Sequence, residues 1–232
     1  MRHKKPNRTE NTADALAQRI VRGIYPVGTL LPAEPELERE YSASRTVVRE
    51  AVKTLSAKGL VTVRQRHGTR VNQRDQWMWL DGDVIRWLSA GRLDPEDLLA
   101  FSEVRRIFEP EAAALAAARA TDTQRRTILL SFAAMEASQN RSDEAVAADK
   151  AFHLAILEAT GNPVLHSLRR AIEALFDALF PYTIDRYAAN IHNHRLLAES
   201  IHDRNPEAAR EHMRAVLGET EDFLLTMAHS DS

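Results

Sequence analysis

The spacing of apolar and polar positions changes character about a third of the way along the 232-residue chain. Before residue 76, apolar residues form short groups separated by glycine and proline, and three helical patterns precede two alternating stretches at Val61–Arg64 and Thr69–Val71. After residue 76, apolar residues recur at the helical period almost throughout, and prolines such as Pro163 and Pro206 separate the segments. The pattern predicts an α+β first part and an all-α second part.

The three helical patterns of the first part have recognisable ends. A helix is predicted over 11–22, and a short second helix opens within 32–36, where prolines and acidic residues favour a helix N-terminus. A third helix is predicted to run to about residue 58, with Ser44 as its N-cap and Gly59 at its end. Three helices followed by a β-hairpin indicate a winged helix-turn-helix domain.

The third helix has one apolar stripe and one basic edge. Its apolar residues stand at positions i, i+3, i+4 and i+7, namely Val48, Ala51, Val52 and Leu55. Arginines on the other side suit DNA, because Arg donates two hydrogen bonds to guanine and a helix N-terminus favours a phosphate. The predicted DNA-binding residues are Ser44, Arg45, Thr46, Arg49 and Lys53 on this helix and Arg64, Arg66, His67, Gly68 and Arg70 in the hairpin. A solvated amphipathic helix would show the same pattern, so the prediction depends on the basic hairpin that follows.

The formal net charge of −2 conceals an uneven distribution of charge. Residues 1–76 contain 15 Lys and Arg against 8 Asp and Glu, whereas the other 156 residues contain 16 against 25. A basic part joined to an acidic part is expected when only one end meets a polyanion. The chain has no cysteine, which excludes disulfides, cysteine zinc sites and thiol catalysis and fits a reducing cytoplasm. It shows neither a signal-peptide pattern nor an apolar run of about 18 residues, so no membrane span is expected.

The stretch PVGTLLPAEPELEREYSASRTVVREAVKTLSAKGLVTVRQRHGTRV, residues 26–71, resembles the GntR family of DNA-binding regulators. The matching motifs are P-x-G-T-x-L-P-A-E, S-R-T-x-V-R-E-A-x-x-x-L and G-x-G-T-x-V, the last one Gly short here. The resemblance places Gly68 at the tip of the wing. It also implies three DNA contacts on the third helix, from Arg45, Thr46 and Arg49. Pro35 stands where the family commonly has Arg, which puts one implied DNA contact in question.

The second part contains six segments with the length and spacing of bundle helices. They are predicted at 98–120, 124–139, 143–160, 163–185, 190–204 and 206–228. Asp149 and His153 stand four residues apart and share a helix face, and His194 lies in a histidine-rich segment. Such a carboxylate and imidazoles suit one divalent cation, although an acid–histidine pair at this spacing is also a helix-stabilising contact.

The second part resembles the FCD ligand-binding domain of FadR-type GntR regulators over roughly residues 95–222. The resemblance is carried by Ser102-Glu103-Val104-Arg105, Asp149-x-x-x-His153, Gly161-Asn162-Pro163 and His194-Arg195-x-Leu197. This domain family holds a zinc- or nickel-type ion with one Asp and three His. Three of these ligands match, at Asp149, His153 and His194. The fourth position falls on Val216, which cannot ligate, and His212, one turn earlier, is the alternative.

A carboxylate effector is expected, because Arg holds a carboxylate with two parallel hydrogen bonds. Arg105 is the predicted effector-binding residue, with Asn162 lining the same cavity, and the alternative is that Arg105 only pairs with Glu109 along the helix. The Trp-rich segment 76–87 resembles the same region in galactonate-operon repressors of this subfamily, which implies a sugar acid as effector. From the residues alone, its tryptophans are expected to pack between the two domains.

These features predict a winged helix-turn-helix domain at 9–74, a linker helix within 75–94 and an all-helical effector-binding and dimerisation domain at 95–228. The predicted function is a cytoplasmic, ligand-responsive transcription regulator. It would repress a carboxylate catabolic operon by binding a palindromic operator in double-stranded DNA as a homodimer, nucleoid-associated when bound. No catalytic residue is predicted. Two alternatives stay open, a metal-dependent enzyme that uses the predicted metal ligands and an architectural DNA-binding protein without an effector.

Overall fold

A computed structural model describes residues 8–91, 93–138, 142–183 and 187–230, and the chain divides into two compact units, Met1–Arg92 and Leu93–Ser232. The first unit contains α1 (Arg8–Val21), α2 (Glu34–Glu40), α3 (Arg45–Ala57), β1 (Val61–Arg64), β2 (Gly68–Val71), a 3-10 turn (Arg74–Gln76) and α4 (Gly82–Ser89). The second contains α5 (Pro95–Arg119), α6 (Asp122–Ala137), α7 (Ser142–Ala159), α8 (Pro163–Ser167), α9 (Arg169–Thr183), α10 (Tyr187–His202) and α11 (Pro206–Ser230). The predicted succession, a winged helix-turn-helix followed by a helical bundle, is confirmed.

The core of the first unit forms between the apolar faces of α1 and α3. Leu16 of α1 and Leu55 of α3 are almost completely buried, and the two helices pack against each other. β1 and β2 pair antiparallel, and their buried residues Val61 and Val71 stand opposite each other in the register. The hairpin therefore closes one side of this core while its other positions face solvent.

The turn after α3 requires a glycine. Gly59 has a φ of 79°, a region that side chains rarely adopt, and a Cβ there would lie 2.2 Å from the backbone oxygen of Gln76. The residue before it, Lys58, places its Nζ 2.8 Å from both carboxylate oxygens of Asp81, which caps the N-terminus of α4. The end of α3 is thus tied to the start of α4.

α4 packs against α1 within the first unit. Arg86 donates two hydrogen bonds to the carboxylate of Asp14, at 2.9 and 3.2 Å, and Trp87 Nε1 donates to the same group at 2.7 Å. Trp87 is only 1% exposed, so its indole is part of the core of this unit. The segment expected to be a linker therefore adds a helix to the winged helix, and the interdomain packing expected of its tryptophans stays a prediction.

Small side chains let the helices of the second unit approach closely. α5 buries a run of alanines, Ala112, Ala113, Ala114, Ala116 and Ala117, and it packs against α7, α10 and α11. Larger residues such as Phe152 and Met135 fill the space between the other helices. α5 is therefore the central helix of this bundle. Among the described residues, no helix is long and apolar enough to cross a membrane.

One predicted helix is two helices in the structure. The sequence predicts a single helix over 163–185, whereas α8 ends at Ser167 and α9 begins at Arg169. At the break, Leu168 N donates to the carbonyl of Leu165 at 3.1 Å, three residues back instead of four, which makes a tighter turn. The end of the predicted segment, 184–185, lies outside the described residues. The other five predicted helices agree with α5, α6, α7, α10 and α11 to within three residues at either end.

Replacing Gly59 by Ala is expected to lower the free energy of unfolding of the first unit by about 2–4 kcal/mol, because left-handed strain adds to the clash with Gln76. Gly23→Ala is the matched control, since Gly23 has a φ of 72° but an added Cβ meets nothing within 4 Å. The control should lose only about 1–2 kcal/mol. Calorimetry on the full chain measures both, and equal losses would show that the approach to Gln76 is unimportant.

Candidate functional site

The N-terminal part of α3 presents the predicted DNA-reading residues to solvent. Ser44 caps the helix by accepting a hydrogen bond from Val47 N at 3.4 Å. The apolar stripe that was predicted is buried, and it consists of Val48, Ala51, Val52 and Leu55. The predicted contact residues on the other side are exposed, namely Arg45, Thr46, Arg49 and Lys53. The predicted orientation of this helix is therefore confirmed.

A carboxylate at the start of α2 lies between two of these arginines. Glu34 Oε2 is 3.2 Å from Arg45 Nε, and Glu34 Oε1 is 3.9 Å from Arg49 Nε. Each carboxylate oxygen thus faces one guanidinium group, which places the two arginines side by side. Sequence reasoning missed this role of Glu34, because no local pattern reveals a contact between residues of different helices.

The hairpin presents the remaining predicted DNA-binding residues. Those exposed are Arg64, Arg66, His67, Gly68 and Arg70. The tip uses left-handed backbone at Arg66, with a φ of 65°, and at Gly68, with a φ of 85°. Arg70 donates through Nη1 to the carbonyl oxygen of Gly28. Arg70 therefore ties the hairpin to the turn before α2 and positions the wing relative to α3.

Three predicted metal ligands converge in the interior of the second unit. Asp149 and His153 lie one turn apart on α7, and His194 comes from α10. The Nε2 atoms of His153 and His194 lie 3.4 and 3.2 Å from Asp149 Oδ1. One ligand atom from each residue lies within 4.8 Å of the other two, and all three residues are buried. The helical period alone predicts the first two on one face, whereas tertiary packing brings in the third.

Hydrogen bonds determine which nitrogen of each imidazole faces Asp149. His153 Nδ1 donates to Glu109 Oε2 at 2.5 Å, and His194 Nδ1 donates to the carbonyl oxygen of Asn190 at 2.9 Å. Because carboxylates and carbonyls only accept, Nδ1 carries a proton in both rings and Nε2 is the ligand atom. Asp149 Oδ1 and His194 Nε2 are buried and lie 3.2 Å apart, but neither forms a hydrogen bond among the described residues. A cation between them would satisfy both atoms.

Neighbouring charges keep the buried acids of this cluster ionised. Burial raises the pKa of Glu109, but Arg105 and His153 outweigh it and lower that pKa to about 2. The pKa of Asp149 also lies well below its ordinary range, because His153 and His194 outweigh its burial. Burial lowers the pKa of His153, yet Glu109 and Asp149 raise it to about 9. A metal ion that binds His153 Nε2 near neutral pH therefore has to displace a proton.

The position of the fourth family ligand is apolar in this chain. Val216 is 2% exposed and belongs to a hydrophobic cluster with Met213, and its carbonyl accepts a hydrogen bond from Asn190 Nδ2 at 2.8 Å. His212, the alternative fourth ligand, is half-buried with its Nδ1 2.8 Å from Ser200 Oγ. Within the described ranges, no further histidine or carboxylate joins the three ligand atoms. The geometry thus favours a three-ligand site.

Arg105 is buried on α5 beside this cluster. Its Nε donates to Glu109 Oε1 at 2.6 Å, and its guanidinium lies 4.3 Å from the centre of the Phe176 ring. The pairing with Glu109 that the sequence left as an alternative is therefore present, and the effector-binding role of Arg105 stays a prediction. Sequence reasoning missed the bond between Glu109 and His153, which lie 44 residues apart.

Asn162, the second residue predicted to bind the effector, is the N-cap of α8. Its Oδ1 accepts hydrogen bonds from Val164 N and Leu165 N, at 2.9 and 3.4 Å. A cavity beside Glu109 and His153 is not lined by Asn162. The structure thus gives Asn162 a capping role, and an effector contact from it stays a prediction.

The fold and the two sites define a class of protein, a helix-turn-helix transcription regulator with a separate helical domain. Residues 8–71 match the bacterial regulatory proteins of the gntR family, and residues 100–219 match the FCD domain. The chain belongs to the GntR family, and its second unit is an FCD domain. Members of this family are DNA-binding transcription regulators, which argues against the enzyme alternative.

Individual relatives support the same assignment. The chain is 35% identical over 209 residues to the galactonate operon transcriptional repressor of Escherichia coli K12, covering 88% of this chain and 91% of that protein. It is 28% identical over 238 residues to the Glc operon transcriptional activator of the same strain, covering 95% and 91%. A solved GntR structure from Streptococcus agalactiae shares 27% identity with a TM-score of 0.51 and covers 92% of this chain and 99% of that one. The regulator class predicted from the sequence is confirmed.

Glu34→Gln is expected to strengthen binding to scrambled DNA by about 0.2–1 kcal/mol, because it removes a negative charge from between Arg45 and Arg49. Binding to the cognate site should gain less or weaken, because the two guanidinium groups lose their common partner. Fluorescence anisotropy at fixed salt measures both affinities. Glu38→Gln on the same helix is the control, because it removes the same charge without touching the contacts of Glu34 with Arg45 and Arg49. An equal drop for both variants in the ratio of cognate to scrambled affinity would contradict the prediction.

Proposed function

We propose that this protein is a homodimeric repressor of a sugar-acid catabolic operon, released from a palindromic operator by a small carboxylate effector. The exposed basic edge of α3 beside a basic wing is the observation that supports DNA binding at this surface. The sugar-acid class is supported by the 35% identity to a galactonate operon repressor. One short recognition helix reads few base pairs, so a two-fold pair of helices is needed for specificity. The protein acts in the cytoplasm and is nucleoid-associated when bound.

In the proposed complex, the N-terminal end of α3 enters the major groove. Arg45 and Arg49 donate to guanine edges, and the capped helix end at Ser44 together with Thr46 meets the adjacent phosphate. Lys53 follows the phosphate backbone one turn further along. The wing contributes its basic residues and a close backbone approach, through Arg64, Arg66, His67, Gly68 and Arg70. Pro35 offers no side-chain donor, so α2 contributes less to this interface than an arginine there would.

The effector site is proposed around Arg105, with Asn162 as a second contact. A guanidinium group buried beside an aromatic ring is a strong carboxylate ligand, because little water competes for it. Arg105 Nε already donates a hydrogen bond to Glu109, so the effector carboxylate would accept hydrogen bonds from the two terminal nitrogens of Arg105, Nη1 and Nη2. Binding of the effector to the second unit changes the operator affinity of the first by linkage.

The buried cluster is proposed to hold one divalent transition metal such as zinc or nickel, through Asp149 Oδ1 and the Nε2 atoms of His153 and His194. Two imidazoles and one carboxylate suit such an ion, and the two buried atoms without partners support the assignment. When bound, the ion supplies a buried positive charge that attracts an anionic effector. Three protein ligands leave a coordination position open, which Val216 cannot fill.

The regulator proposal is tested by fluorescence anisotropy with the DNA upstream of the protein's own gene and a scrambled control. Preferential binding to the native DNA, altered by one member of a panel of sugar acids, is expected. Arg49→Ala should cost about 1–3 kcal/mol on the native DNA, because one bidentate base contact is lost. Arg126→Ala, which removes the same charge from an exposed position on α6, should leave this affinity unchanged.

Three results would count against the regulator proposal. Equal affinity for both DNAs without any ligand effect would favour an architectural role. A monomer in sedimentation, with and without DNA, would contradict the dimer. Absence of DNA binding even at low salt, where the electrostatic contribution is largest, would overturn the central claim.

The metal proposal predicts that metal-stripped protein takes up one Co²⁺ or Zn²⁺ per chain, with a rise in melting temperature on binding. Asp149→Asn should abolish this uptake, because it removes the only anionic ligand of the three. Asp177→Asn, at an exposed position of α9, is the matched control and should bind as the wild type does. The same weak uptake by wild type and Asp149→Asn would contradict the metal site.

A further inference from the structure

The buried carboxylate of Glu109 contacts both the proposed effector-binding residue and one of the proposed metal ligands. Its Oε1 accepts a hydrogen bond from Arg105 Nε at 2.6 Å, and its Oε2 accepts one from His153 Nδ1 at 2.5 Å. Glu109 is 4% exposed, so bulk solvent has little access to either contact. Arg105 and Glu109 belong to α5, whereas His153 belongs to α7. The carboxylate therefore links the proposed effector arginine to a proposed metal ligand across two helices.

The contact with Glu109 determines which way the His153 ring faces. The rings of Phe152 and Phe176 pack against it, with centroids 5.7 and 4.9 Å away, but apolar packing does not distinguish Nδ1 from Nε2. The Glu109 carboxylate distinguishes them, because its Oε2 lies 2.5 Å from Nδ1 and can only accept a hydrogen bond, whereas Nε2 lies 3.4 Å from Asp149 Oδ1. Glu109 thereby leaves Nε2 of His153 as the atom turned toward Asp149.

The other histidine of the cluster is oriented differently. His194 Nδ1 donates to the backbone carbonyl of Asn190, one turn earlier on the same helix, so its orientation follows from α10 itself. The orientation of His153 instead depends on a side chain from α5 that is shared with Arg105. The geometry of the cluster is thus sensitive to what Arg105 does.

We propose that Glu109 is a positioning residue of the metal site and couples that site to Arg105. It holds the Nδ1–H tautomer of His153 and raises the basicity of Nε2, as carboxylates behind metal-bound histidines do. Arg105 and His153 share this carboxylate, so a ligand that draws Arg105 away from Glu109 changes the hydrogen bond that orients His153. By reciprocity, metal binding changes the affinity for that ligand by the same factor. The inference rests on the proposed function of the metal site.

Co²⁺ affinity, measured by absorption and chelator competition on the full-length protein, tests the positioning role. Glu109→Gln should weaken Co²⁺ binding by roughly 10–100-fold and shift the visible spectrum of the bound ion. Glu111→Gln is the matched control, since Glu111 lies on the same helix, is exposed and pairs with Arg210. Wild-type affinity in Glu109→Gln would overturn the role of Glu109.

A double-mutant cycle tests the coupling to Arg105. Arg105→Gln should change Co²⁺ affinity by about threefold or more, and the change should shrink in the Glu109→Gln background, because the two residues act through one contact. Arg106→Gln, at an exposed position next along α5, should leave the affinity unchanged. An equal effect of Arg105→Gln in both backgrounds would show direct electrostatics and overturn the coupling.

The wild-type protein provides a test that does not depend on the folding of Glu109→Gln or Arg105→Gln. In Zn²⁺-loaded protein with ¹⁵N-labelled histidine, Nδ1 of His153, assigned with His153→Gln, should be protonated and Nε2 metal-bound. A proton on Nε2 and zinc on Nδ1 would overturn the proposal. Failure of both wild type and Asp149→Asn to bind Co²⁺ would overturn the proposed metal site itself. Loss of Co²⁺ binding in Asp149→Asn together with wild-type Co²⁺ binding in Glu109→Gln would overturn only the inference about Glu109.

Discussion

The negative charges of two carboxylates buried in the second unit have to be compensated by nearby cationic groups, and the arrangement of the helices of this unit depends on that requirement. Glu109 and Asp149 are 4% and 8% exposed, and an isolated charge at such a position costs several kcal/mol. Arg105 and His153 compensate Glu109, and the two histidines compensate Asp149. These groups come from α5, α7 and α10, so none of the three helices can shift without leaving a buried charge unpaired. The proposed metal and effector sites both draw on this one cluster.

The first unit handles charge in the opposite way. α3 buries only its apolar stripe, and its arginines stay in water, where Glu34 partly neutralises Arg45 and Arg49. Exposed ion pairs of this kind are weak and exchange readily. The wing, by contrast, is held to the body of the unit by Arg70 and a backbone bridge to Leu30. The protein thus combines replaceable charge contacts with a firmly placed wing.

Two departures from the family pattern, one in each unit, change the chemistry of the sites. Pro35 stands in the first turn of α2 and offers no side-chain donor there. Val216 joins the hydrophobic core where the family pattern has a ligand, and its backbone carbonyl accepts a hydrogen bond from Asn190. A cation at the proposed metal site would therefore depend more strongly on Asp149 and the two histidines than it would in a four-ligand site.

Much of the fold was predictable because its signals are local. Caps, glycine stops and helical spacing predicted the helices and the hairpin, including the N-cap at Ser44 and the turn at Gly59. The break at Leu168 was missed, because neither glycine nor proline marks it and helix-forming residues stand on both sides. The site was predicted in part, since Asp149 and His153 share a helix face at a spacing of four, and the family resemblance supplied His194.

The sequence by itself determined the class of protein, the amphipathic orientation of α3 and the identity of the three side chains that form the buried cluster, because these depend on short-range periodicity and on motifs. Only the tertiary structure decided which partners those side chains have. Glu34 meets arginines on another helix, 11 and 15 residues further along. Glu109 meets His153 across 44 residues, and Asp149 meets His194 across 45. Contacts of this range arise from the packing of whole helices, and no local pattern of residues encodes them.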